Sequence, residues 1–205
     1  MKIETLALGP LQANCYILTE GSDCVIIDPG GEPQRLLDHC RKGNLQPSLV
    51  LLTHGHVDHI AAACALKAAG ATVLAHEADH HFVESPHPYF AQMVGGLEAC
   101  HVDGNLEDGQ QFTVGDTTLT VIHTPGHSLG CVCLLGPGLV FTGDTLFAGS
   151  VGRTDLPGGD WATLVTSLKR LIDLTAPETI IYPGHGPQST MGEEVQSNPF
   201  LQELD

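Results

Sequence analysis

The sequence predicts an α/β chain in which two sheets pack face to face with helices on the outside. Three observations support this. Strand-like and helical runs are mixed in both halves of the chain, the strand runs are apolar enough to be buried, and turn residues close most of them.

Length and composition agree. At 205 residues the chain can bury a substantial core, and 42% hydrophobic against 16% charged residues argues against disorder. No linker, low-complexity block or charge run divides it, so residues 1–205 are read as one domain. The formal net charge is −16, from 8 basic and 24 acidic residues, which repels a phosphate backbone and disfavours nucleic acid as a partner. No apolar run approaches the roughly 18 residues needed to cross a bilayer, so no membrane span is expected. The opening MKIETLALGP lacks the features of a secretory signal, and a cytoplasmic protein is expected. The seven cysteines include no C-x-x-C pair and read as small buried hydrophobes in a reducing compartment.

Lys2–Leu8, Cys15–Leu18 and Cys24–Asp28 read as strands, the last closed by Pro29, Gly30 and Gly31. Glu32–Cys40 reads as a short helix and Ser48–Leu52 as a buried strand. Ile60–Ala69 is alanine-rich and stops at Gly70, the pattern of a helix with a glycine end. Thr72–Ala75 is a strand, and helical pieces between His76 and Cys100 are broken at Pro86 and Pro88. Four strands follow: Gln111–Val114, Thr117–His123, Cys131–Leu135 and Gly138–Thr142. Asp160 then reads as an N-cap, with Trp161, Leu164, Val165, Leu168, Leu171 and Ile172 at helical spacing behind it. Thr179–Tyr182 is the last strand, and a short tail runs to Asp205.

The chemistry is carried by four turns, each directly after an apolar strand. THGHVDH supplies His54, His56, Asp58 and His59; HTPGH ends at His127; TGD ends at Asp144; PGH ends at His185. Small residues at Gly55, Gly126, Gly143 and Gly184 let the backbone turn sharply there. Strand ends on one sheet edge converge, so four such turns can build one site. In an extended loop residues two apart point the same way, so His54 and His56 can grip one ion. Asp58 and His59 can then serve a second. His127 would complete the first trio, His185 the second, and Asp144 is the natural bridge because a carboxylate offers two oxygens. An all-nitrogen and oxygen set suits zinc, iron or manganese. His39, His76, His80, His81, His87, His101 and His123 lack this context and are read as ordinary core or surface residues.

H-x-H-x-D-H followed by T-P-G-H, T-G-D and P-G-H resembles the metallo-β-lactamase superfamily signature, from the strand before His54 to Pro187. The resemblance implies an αββα sandwich with the site on one edge. It also implies His54, His56 and His127 at one metal, Asp58, His59 and His185 at another, and Asp144 between them. Class B β-lactamases often carry cysteine near the position of Asp144, so aspartate there favours the hydrolase branches. GDTLFAGSVGRTDLPGGD and SNPFLQ are similar to small glyoxalase II-like proteins, whereas Ala61 and Ala62 stand where relatives usually carry glycine.

Two divalent ions on the order of 3.5 Å apart would make hydroxide available near neutral pH, with Asp58 orienting it and shuttling its proton. The resemblance therefore implies a hydrolase of small-molecule thioesters, with S-lactoylglutathione as the model. Full-length glyoxalase II carries a helical C-terminal region that holds glutathione, and this sequence stops about one short helix past His185. Arg153 follows the Asp144 turn and is the candidate for a substrate carboxylate, or else braces its loop through Asp155. Tyr182 and Phe147 are read as core packing rather than pocket lining. Two other readings are a persulfide dioxygenase-like oxidoreductase, with one iron at positions matching His54, His127 and Asp144, and a non-catalytic metal-binding protein.

Overall fold

A computed structural model, described over residues 1–203, stacks two six-stranded sheets. The first contains β1 (Lys2–Leu8), β2 (Ala13–Glu20), β3 (Asp23–Ile27), β4 (Leu49–Leu51), β5 (Thr72–Ala75) and β6 (Gly104–Asn105), adjacent in that order. The second begins with β7 (Gln111–Val114), β8 (Thr117–His123), β9 (Val132–Gly136) and β10 (Leu139–Gly143). After a separate hairpin, β11 (Leu146–Phe147) and β12 (Ser150–Val151), it is completed by β13 (Ile180–Pro183) and β14 (Ser189–Thr190). The helices are α1 (Pro33–Lys42), α2 (Val57–Ile60), α3 (Ala63–Ala68), α4 (His80–Glu84), α5 (Pro88–Met93), α6 (Trp161–Leu174), α7 (Met191–Ser197) and α8 (Pro199–Gln202).

Alternation along the strands explains the four layers, because successive side chains point to opposite faces. In β2, Tyr16 and Leu18 join the core between the sheets, while Cys15 and Ile17 face outward onto Leu36, Ile60 and Leu66 of the first helical layer. In β8–β10, Leu119, Val121, Val132, Leu134 and Phe141 enter the central core. Ile122, Cys133 and Val140 instead meet Leu164, Leu168 and Leu171 of α6. This is the expected αββα sandwich. Asp160 caps α6 as expected, accepting the Thr163 amide at 2.8 Å.

β3, β4 and β5 are mutually parallel, and so are β10 and β13. β8 shares the direction of β10, since each is antiparallel to β9. The C-terminal ends of these strands in each sheet therefore emerge on one edge, and the segments that follow them carry the seven candidate metal ligands.

Two expectations need correction. Ile60–Ala69 is not one helix: α2 starts at Val57, and α3 follows only after Ala61 and Ala62. The Ala62 amide donates to Pro29 O at 2.8 Å, which ties it to the turn after β3 instead of to a preceding helical carbonyl. The tail is also structured. Thr190 and Glu193 form a reciprocal capping box at the start of α7, and Asn198 donates to Ser150 O at 3.0 Å. Among the described residues no helix is long and apolar enough to cross a membrane.

Candidate metal centre

His54 follows β4 through a buried network that sets its tautomer. Thr53 Oγ1 donates to Asp28 Oδ2 at 2.6 Å, so toward His54 Nδ1, 3.1 Å away, the hydroxyl acts as acceptor. The His54 proton thus sits on Nδ1, and the Nε2 lone pair faces the interior. His59 repeats the device, with Nδ1 3.0 Å from the same Asp28 oxygen. His127 Nδ1 donates to Arg153 O at 2.7 Å and likewise presents Nε2.

These lone pairs converge. One ring nitrogen each from His54, His56 and His127 lies within 4.8 Å of the others, and the same holds for donor atoms of Asp58, His59 and His185. His127 Nε2 is 2.8 Å from His56 Nδ1, and His185 Nε2 is 3.2 Å from Asp58 Oδ2. Asp144 lies between the trios, with Oδ1 3.3 Å from His59 Nε2 and Oδ2 3.5 Å from His127 Nε2. Asp28, His54 and His59 form a third such group, but Asp28 is already engaged by Thr53 and His59. The seven predicted ligands are thus brought to one place. Asp58 and His59 reach it from the single turn of α2.

The electrostatics fit a cation. Every ion-pair partner of Asp28, Asp58 and Asp144 among the described residues is a histidine. Burial, reinforced by the neighbouring imidazoles, pulls His54 well below the usual histidine range, and burial also lowers His56 and His127. Burial opposes charging His59 too, but Asp144, Asp58 and Asp28 prevail and push it up to about 10. His54 Nε2 and Asp144 Oδ1 are buried and meet no donor or acceptor in hydrogen-bonding geometry. Lone pairs of this kind suit a divalent ion of nitrogen and oxygen preference.

Sequence reasoning missed three supporting residues. Asp28 is the first. Asp79, fully buried, accepts from Gly55 N (2.9 Å), Ser128 Oγ (2.6 Å) and Gly130 N (2.8 Å), clamping the turn of His54 and His56 to that of His127. Asn14 on β2 donates from its side chain to Pro183 O (3.0 Å) and Gly186 O (2.9 Å), so the first sheet holds the turn of His185 on the second. That turn is crowded: a Cβ at Gly184 would sit 2.2 Å from Asp144 Oδ1.

The centre opens into a cleft of about 670 Å³. Arg153 lines it, and its guanidinium grips Asp155 through two hydrogen bonds of 2.7 and 2.8 Å, the bracing expected as one of its two alternatives. His81 and His87, set aside on sequence grounds, line the cleft as well. Tyr182 packs against Tyr16 and Phe141 in the core, whereas Phe147 sits with its ring centroid 6.1 Å from that of His185.

A model of the metallo-beta-lactamase superfamily matches residues 8–185. The chain belongs to that superfamily. The superfamily assignment covers the whole site, from Asp28 to His185. Hydroxyacylglutathione hydrolase GloC of Haemophilus influenzae is 35% identical over 211 residues, covering 98% of each chain. The crystal structure of TTHA1623 in a di-iron-bound form is 42% identical, covers 97% of this chain and 100% of that one, and superimposes with a TM-score of 0.88. The BLEG-1 B3 metallo-beta-lactamase is 36% identical, covers 98% and 99%, and has a TM-score of 0.87.

Proposed function

We propose that the chain is a dinuclear metal-dependent hydrolase of thioesters, with S-acylglutathiones such as S-lactoylglutathione as the model substrates. The carrying observation is the pair of trios on either side of Asp144, with His54 Nε2 and Asp144 Oδ1 buried and making no hydrogen bond. His54, His56 and His127 would hold one ion and Asp58, His59 and His185 the other, with Asp144 shared. Zinc suits this donor set, as do iron and manganese; the di-iron relative supports iron.

Bound there, two divalent ions supply a Lewis acid for the carbonyl oxygen and a water acidified toward neutral pKa. The chain's own residues do the rest. Asp28, through Thr53 and directly, holds His54 and His59 in the ligand-competent tautomer. Asp58, 3.2 Å from His185 and on the cleft wall, would accept a proton from the attacking water and return it to the leaving thiolate. Arg153, on the cleft wall, is the contact for a substrate carboxylate. Free cysteines throughout fit a reducing, cytoplasmic setting.

His56→Ala is the direct test. Metal per chain should fall by one equivalent and thioester turnover should drop to background together. Full turnover in that variant would contradict the ligand assignment.

A further inference from the structure

The cleft beside the centre carries several large apolar side chains, interspersed with His81 and His87. Phe82 and Phe90, on α4 and α5, and Leu156, after β12, line it together with Met93 and Leu11. Phe82 packs its ring 5.7 Å from that of His56, so apolar surface begins next to the reacting position. Met93 and Leu11 remain 45% and 41% exposed, leaving large apolar side chains uncovered at the mouth. At about 670 Å³ the space is of the size that small-molecule sites usually offer, roughly 300–1,000 Å³.

Charge points the same way. Among the described residues Arg153 is the one lysine or arginine that lines the cleft, and its Nε and Nη2 donors are already engaged by Asp155. The other ionisable lining groups are histidines and the carboxylates Asp58 and Asp144, on a chain of net charge −16. Away from the two metal positions, a substrate with several carboxylates meets Arg153 as its one lysine or arginine partner among the described lining residues. An unbranched hydrocarbon chain meets Phe82, Phe90 and Met93.

We infer that this site selects thioesters bearing an apolar chain of several carbons, on the acyl or the thiol side, over strongly anionic ones; this rests on the thioester reading above. Each methylene that becomes fully buried should improve binding by roughly fourfold at most.

The test uses metal-replete protein and two measurements. Binding is read by titration calorimetry with S-alkyl thioethers of N-acetylcysteamine, ethyl to octyl, which cannot be hydrolysed. Turnover is read as kcat/KM on N-acetylcysteamine thioesters from acetyl to octanoyl, and on acetyl thioesters of alkanethiols of matching length. We expect affinity to climb two- to fourfold per methylene until the cleft fills, and Phe90→Ala with Met93→Ala to flatten that climb. A steep acyl series places the chain on the acyl side, and a steep thiol series places it on the leaving group. Flat responses in both series and in thioether binding overturn the inference, even with thioester hydrolysis intact. Length-dependent thioether binding by a protein that cleaves no thioester supports the apolar cleft and removes the hydrolase reading alone.

Discussion

His59 Nδ1 lies 3.0 Å from Asp28 Oδ2, the same oxygen that accepts the Thr53 hydroxyl beside His54. One buried carboxylate therefore governs an imidazole from each proposed trio. Asp28→Asn keeps the shape but replaces one oxygen by an NH2, which cannot accept from the Thr53 amide at one position or from the Thr53 hydroxyl and His59 Nδ1 at the other. Outer hydrogen bonds of this kind typically contribute 10–100-fold to metal affinity. We expect a loss of about that size for Asp28→Asn, measured by competition with a chromophoric chelator. Affinity within twofold of the parent would show that the tautomers are set elsewhere.

Asp79 holds two of the candidate ligand turns together through three donors, two of them backbone amides at buried glycines. Removing it strands Gly55 N and Gly130 N, each at about 1–3 kcal/mol. Asp79→Ala should therefore destabilise the metal-free chain by about 3 kcal/mol in urea unfolding. A change below about 1 kcal/mol would mean that water replaces the carboxylate.

Six of the seven cysteines are buried and Cys64 is half-buried, with no disulfide. Burial pushes the Cys133 thiol up to about 11 and the Cys24 thiol up to about 12, and raises Cys15 and Cys131 strongly. Since the thiolate is the reactive form, an aromatic disulfide reagent at neutral pH should titrate one thiol quickly, Cys64, and the rest only after unfolding. Cys64→Ser should abolish the fast phase; several fast thiols in the parent chain would contradict the burial pattern.

The ligand turns were legible because each repeats one local pattern: a buried apolar strand, a small residue, then histidine or aspartate. Sheet direction then does the assembling. Asp28 carries part of that pattern, as an aspartate closing a strand before Pro29 and Gly30, but nothing in the local sequence says that it faces Thr53 and His59. Asp79 and Asn14 were illegible for a stronger reason. Their partners, Ser128 and Pro183, lie 49 and 169 residues away, and no periodicity encodes contacts made only by stacking two sheets. The break between α2 and α3 was hidden likewise, since alanines favour a continuous helix and only the Pro29 carbonyl diverts Ala62. His81 and His87 join the cleft because α4 and α5 fold over its mouth, a placement that helix-breaking prolines suggest but do not aim.

Metal content and cleavage of S-D-lactoylglutathione, measured on one preparation, test the central claim most directly. The account predicts about two divalent ions per chain, with turnover that disappears on chelation and returns when metal is restored. A single iron per chain, oxygen uptake with glutathione persulfide and no thioester cleavage would contradict it.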